Sequence, residues 1–240
     1  FNKTLPTFVK NVLHANKSYL IDVYFVTYEK YFNQKILQLL KPKKYSLLGD
    51  EFLNYPQKDT ELANPILQKF GLYNILKNDR RKVMKSLIPQ FVHMYMAAKL
   101  IKQQKEHYDI IMKTRFDVLY EKEIHFDKIK DTKNSFLCPK RHAYKYAEQN
   151  EGIEKRTIKK TPAGEINDSV IFSSHNNMIN YFRIMLKWLK ENEAIIIKTL
   201  SAVDAPRIKT EAYIAFFITQ VLKKTIDYVN IECGTWRDLN

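Results

Sequence analysis

Between residues 5 and 48 the hydrophobic pattern changes period three times, and that alternation restricts the fold more than any other feature of the chain. Leu5 to Leu13 carries apolar residues at roughly helical spacing. Tyr19 to Val26 is then mostly apolar and rich in β-branched and aromatic side chains, interrupted by Asp22, which predicts a buried strand. Helical spacing returns from Glu29 to Leu40 and stops at Pro42, and Lys44 to Leu48 reads as a second, short strand. A helix-strand-helix-strand opening favours a mostly parallel sheet with helices packed on its faces. The expected class is therefore α/β.

The rest of the chain continues in the same vein. Gly49 to Pro65 is polar and turn-rich, and helical patterns follow from Ile66 to Leu76 and from Lys82 to about Gln104, the second containing Pro89. A strand is expected over Asp109 to Met112, buried on both faces, and another near Ser135 to Cys138. Pro139 to Gly164 is highly charged with little apolar content, and it reads as a long mobile loop of the kind that covers or binds ligands. Ser169 to Ser173 is a strand, Met178 to Lys190 an amphipathic helix, Thr210 to Lys223 a last helix and Ile226 to Ile231 a last strand. With 240 residues, 45% of them hydrophobic, the chain can bury one substantial core, and a single catalytic-size domain over residues 1–240 is the default expectation.

Composition narrows the partners. Forty basic residues against 26 acidic ones give a net charge of +14, which attracts anions: nucleic acid, a membrane surface or a phosphorylated small molecule. The basic residues are spread along the chain, with local clusters at Lys41 to Lys44, Arg80 to Lys85 and Arg156 to Lys160, rather than gathered on one aromatic-rich stripe. A basic module without catalysis, binding nucleic acid or a partner protein through the Lys41 and Arg156 clusters, is the alternative reading. Cys138 and Cys233 have no metal-ligand spacing and are expected as reduced, buried thiols. The six histidines, His14, His93, His107, His125, His142 and His175, form no ligand set either. The sequons at Asn2 and Asn16 do not by themselves argue for secretion. Residue 1 is Phe rather than Met and no basic-then-apolar leader is visible, so the natural N-terminus, with any targeting signal, is expected to lie outside this sequence; a cytoplasmic location, or one at the cytoplasmic face of a membrane, is the working expectation.

The sharpest chemical signal is Tyr108-Asp-Ile-Ile-Met-Lys-Thr-Arg-Phe-Asp-Val-Leu-Tyr120, a strand running directly into Arg-x-Asp. Ligands of α/β sheets sit beyond the carboxyl ends of strands, where Lys113 or Arg115 could neutralise phosphate oxygens and Asp117 could hold a divalent cation. The same two residues could equally form a structural ion pair. A second signal is Glu165-Ile-Asn-Asp168, between the charged loop and a buried strand. Asp168 is a candidate general base there, with Glu211 second, although Asn-Asp before a strand is also ordinary turn chemistry. A glycine-rich phosphate loop, a Gly-x-Ser-x-Gly elbow and a zincin helix are all absent from the sequence.

Taken in order, Ile21 to Thr27, Leu40-Lys-Pro-Lys-Lys-Tyr45, the long helix, Tyr108 to Tyr120, Asn167-Asp-Ser-Val-Ile-Phe-Ser-Ser174 and Thr210-Glu-Ala-Tyr213 resemble a group of bacterial and viral surface-polysaccharide glycosyltransferases of the WavE type. The resemblance spans nearly the whole chain and rests on the ordered set, since none of the segments is specific alone. It implies a GT-A-like fold and transfer of a sugar from a nucleotide-sugar donor to a glycan, lipid-linked or protein-linked acceptor, with no nucleic acid and with peripheral membrane contact through the basic surface. Carried over residue by residue, it implies diphosphate binding at Arg115 and Asp117, a Mn²⁺ or Mg²⁺ ion on Asp117, and acceptor chemistry at Asp168; Lys113 and Thr27 are further candidates for donor binding. Arg115 stands where such enzymes carry the first acidic residue of Asp-x-Asp, so a side-chain cation takes over part of the metal's role. The strand that relatives carry before the first helix is not found at the start of this sequence.

Overall fold

The computed structural model describes residues 3–49, 65–72, 74–75, 83–139, 169–201 and 210–235. In chain order the elements are α1 (Thr4–Phe8), prolonged by a π turn (Val9–Leu13) and a 3₁₀ turn (His14–Asn16), then β1 (Tyr24–Tyr28), α2 (Gln34–Leu40), β2 (Lys44–Leu48), α3 (Pro65–Phe70) and α4 (Val83–Lys102). There follow β3 (Ile111–Thr114), β4 (Val118–Tyr120), β5 (Ser135–Pro139), β6 (Val170–Ser173), α5 (His175–Glu191), α6 (Glu193–Ser201), α7 (Thr210–Phe216) with a π turn (Phe217–Val221), β7 (Thr225–Val229) and β8 (Cys233–Thr235). The class is α/β, as the opening alternation implies. Two compact units emerge, one of Phe1–Ile21, His107–Met178 and Glu211–Asn240, the other of Asp22–Glu106 and Ile179–Thr210.

In the unit of Asp22–Glu106 and Ile179–Thr210, β1 and β2 pair in parallel with Phe25 opposite Tyr45. The strand begins at Tyr24 rather than Tyr19: Tyr19 and Leu20 are exposed, Leu20 at 93%, so the apolar run ahead of β1 starts on the surface. The helix expected over Glu29 to Leu40 is split into a 3₁₀ turn (Glu29–Tyr31) and α2. Asn33 explains the break, because its side chain accepts from the Lys35 N–H at 2.9 Å and starts α2 afresh. Lys41, at φ 44°, closes α2 in the left-handed conformation just before Pro42. Pro89 lies inside α4, where the ring nitrogen Nδ1 of His93 donates to the Pro89 carbonyl at 2.7 Å, and the His93 ring meets Tyr28 edge-on. Burial lowers the pKa of His93 and, with the nearby Tyr31 hydroxyl, pushes Tyr28 up to about 12.

In the other unit, four strands pair in the order β3-β6-β5-β7 and two in the order β4-β8. β5 and β7 run parallel, while β3 with β6, β5 with β6 and β4 with β8 are antiparallel, so the pairing is mixed where the opening pattern favoured a mostly parallel sheet. That pattern could speak only for neighbours in sequence, and β1 with β2 is parallel as it requires. Both β5 and β6 are buried along their whole length. The core here gathers Val12, Val118, Tyr120, Leu137, Val170, Phe172, Ile231 and Cys233. Cys138 and Cys233 are in no disulfide and are buried as expected, and burial pushes the Cys233 thiol up to about 12. The predicted loop beyond Pro139, the Arg156 to Lys160 cluster and most of the Arg80 to Lys85 cluster lie outside the described residues. None of the described helices is long and apolar enough to cross a membrane.

Candidate functional site

The strand that carries the charged motif sits two residues later than its hydrophobicity predicts. β3 covers Ile111 to Thr114 and only Ile111 is fully buried, so Lys113 lies within the ladder opposite Ile171 instead of beyond its end. Arg115, Phe116 and Asp117 then connect β3, an edge strand of the four-stranded sheet, to β4, which belongs to the other sheet. The motif therefore occupies the point where the chain leaves one sheet for another.

Within this turn Arg115 and Asp117 are paired edge to edge. Arg115 Nε donates to Asp117 Oδ1 at 2.9 Å and Nη2 donates to Oδ2 at 2.5 Å, the bidentate geometry that suits a guanidinium and a carboxylate. The two side chains are 34% and 30% exposed, neither sealed in the core nor extended into bulk water. The ion pair that the sequence left open is thus formed, and it is partly accessible.

The turn is braced by polar side chains of the first helix and its π-helical extension. Thr4 Oγ1 donates to the Phe116 carbonyl at 2.6 Å, in the middle of Arg-x-Asp. Thr7 Oγ1 donates to the Thr4 carbonyl and accepts from the Tyr120 N–H at 3.1 Å. Asn11 Nδ2 donates to the Tyr120 carbonyl at 2.7 Å, and the hydroxyls of Thr114 and Tyr120 lie 2.5 Å apart across the turn. Tyr120 is 1% exposed and burial raises its pKa, which keeps the phenol neutral. Residues 4, 7 and 11 recur at i, i+3 and i+7, so a short-polar stripe on the helix that also buries Leu5 and Val12 was the available signal.

The other predicted residues are dispersed. Thr27 is buried in β1 opposite Leu47, in the unit that does not contain the motif. Glu211 is half-buried in the first turn of α7. Asp168 lies outside the described residues. In the Lys41 to Lys44 cluster, Lys43 is committed to Asp22 at 2.8 Å and also to Glu106, and these bonds raise its pKa.

A Mg²⁺ or Mn²⁺ ion requires a shell of several oxygen donors. Among the described residues no group of three or more His, Cys, Asp or Glu is placed to hold one, and both oxygens of Asp117 already accept from Arg115. The described donor set does not fit a divalent cation.

No protein-family model matches the chain, and no curated protein matches it. Among solved structures, the crystal structure of mouse xyloside xylosyltransferase 1 in its apo form is similar at 12% identity, over 94% of this chain and 79% of that one, with a TM-score of 0.43. A likeness so slight assigns nothing here, and function has to be argued from the residues.

Proposed function

We propose that the chain is a glycosyltransferase of GT-A type, of the surface-polysaccharide kind, which moves a sugar from a nucleotide-sugar donor to a glycan, lipid-linked or protein-linked acceptor. The observation that carries the reading is the partly exposed Arg115 and Asp117 pair in a braced turn at the carboxyl end of β3. A departing nucleoside diphosphate develops negative charge, and a guanidinium already fixed in its plane stabilises that charge without reorganising. Asp117 holds Arg115 in place in this scheme. Asp168 is the base that takes the proton of the acceptor hydroxyl, with Glu211 in reserve. Ordered resemblance along the chain supports the same assignment, and the basic surface suits both a phosphorylated donor and contact with an anionic membrane face.

A pyrimidine nucleoside diphosphate should raise the melting temperature of the full-length protein, because a ligand that binds only the folded state stabilises it by mass action. Asp117→Asn should abolish transfer while leaving the circular dichroism spectrum unchanged. Absence of a melting shift with every common nucleoside diphosphate would remove the assignment, and a panel of nucleotide sugars screened for donor hydrolysis would name the donor.

A further inference from the structure

Taking the transferase reading as its ground, we propose that the donor diphosphate is neutralised by Arg115 and not by a divalent cation, Asp117 serving as the anchor of the guanidinium rather than as a metal ligand. Three observations converge on this arrangement. The first is geometric: both oxygens of Asp117 are turned to Arg115, with Nε and Nη2 at 2.9 and 2.5 Å. A metal ion at Asp117 would have to displace a bidentate, charge-assisted pair in return for one carboxylate.

The second concerns the donor set. No cluster of three acidic, histidine or cysteine side chains exists among the described residues to form a coordination shell around Asp117. The third is stiffness. Side-on pairing with Asp117 fixes the plane of the guanidinium. The backbone of the turn is itself tied down, through the Thr4 hydroxyl on the Phe116 carbonyl and the Thr114 and Tyr120 hydroxyl pair. A cation held in this manner has its side-chain entropy already spent, so it meets a planar anion at lower cost than a free lysine would.

The test is uridine diphosphate binding to the full-length protein by isothermal titration calorimetry, in EDTA and again in excess Mn²⁺, for the wild type and for Arg115→Gln, Arg115→Lys and Arg115→Asp. Expected are wild-type affinity that is the same in both buffers to within about twofold, and a loss of about tenfold or more in Arg115→Gln, the range for removing a charge-assisted contact. Arg115→Lys should recover part of that loss, and Arg115→Asp should bind only when Mn²⁺ is present. Wild-type binding that collapses in EDTA would overturn the metal-free arrangement while leaving the transferase reading intact. Unchanged affinity in Arg115→Gln would overturn it as well. No binding in either buffer by uridine diphosphate or by any other common nucleoside diphosphate would remove the transferase reading itself, and the metal-free site with it.

Discussion

Replacement of Asn16 by alanine should be among the most damaging polar substitutions in the unit that holds the Arg115 turn. Asn16 is 1% exposed and its amide is fully used: Nδ2 donates to the Val12 carbonyl at 2.8 Å and to the Ile124 carbonyl at 2.5 Å, and Oδ1 accepts from the Phe126 N–H at 2.8 Å. Asn16→Ala strands three main-chain partners in a region with little access to water. At about 1 kcal/mol for each bond, with a range of about 0.5 to 1.5, the loss should be about 3 kcal/mol before any cavity is counted. The midpoint of urea unfolding should fall accordingly. Because the chain comprises two compact units, hydrogen exchange at Phe126 gives the local reading, and protection there should drop by about a hundredfold. Lys17→Ala, one residue along and exposed, should stay within about 0.5 kcal/mol of the wild type. A cost below about 1 kcal/mol for Asn16→Ala, with Phe126 still protected, would refute the bracing described for this helix. The same burial makes Asn16 a sequon that cannot carry a glycan in the folded chain, since its Nδ2 is hydrogen-bonded and enclosed.

Two further outcomes follow from the geometry. Thr4→Val keeps the shape of a 3% exposed side chain but removes the hydroxyl from the Phe116 carbonyl, so it should cost about 1 to 2 kcal/mol and weaken nucleotide binding, while Thr4→Ser should restore both; equal nucleotide affinity in all three proteins would show that the brace does not reach the motif. Burial, only partly offset by the bond to the Pro89 carbonyl, holds the pKa of His93 below its ordinary 6.5, and burial and His107 do the same for His175. The unfolded chain therefore takes up protons first, and stability is full above about pH 6.5 and falls as the pH drops below it. His93→Gln should flatten that decline in a urea-denaturation series, and a wild-type curve that stays level from about pH 7 to pH 5 would contradict it.

What could be seen in the sequence was what neighbouring residues decide between them. β2 was predicted at its observed limits because Lys44 to Leu48 sits between Pro42 and Gly49, which act locally. Arg115 and Asp117 were visible for the same reason, as an abrupt change from apolar to charged side chains. Hidden from that view were features set by distant chain. Tyr19 and Leu20 look like the start of β1 yet lie on the surface, since an apolar residue reads the same whether or not something covers it. β8, three residues with a glycine at the centre, gives too short a pattern to register and exists through its pairing with β4. The antiparallel seat of β3 against β6 joins residues some sixty positions apart in the chain, and helix-strand alternation says nothing about such a partner.

Whether Arg115 and Asp117 serve the fold or a ligand can be decided by comparing two energies. A pair with both members about one-third exposed is screened by water, and pairs of that kind contribute about 0 to 1 kcal/mol to stability. Phe172, completely buried in the same unit, belongs to a class whose truncation to alanine costs about 3 to 5 kcal/mol. The fold therefore has little to lose with the pair. A diphosphate gripped by the same guanidinium has much to lose, because one charge-assisted contact removed from an anion site weakens binding by an order of magnitude or more. Stability and affinity should accordingly separate in Arg115→Gln, the first nearly unchanged and the second sharply reduced. Were the two to fall together, the turn would be a structural joint between two sheets, and its charges would have no work beyond holding that joint closed.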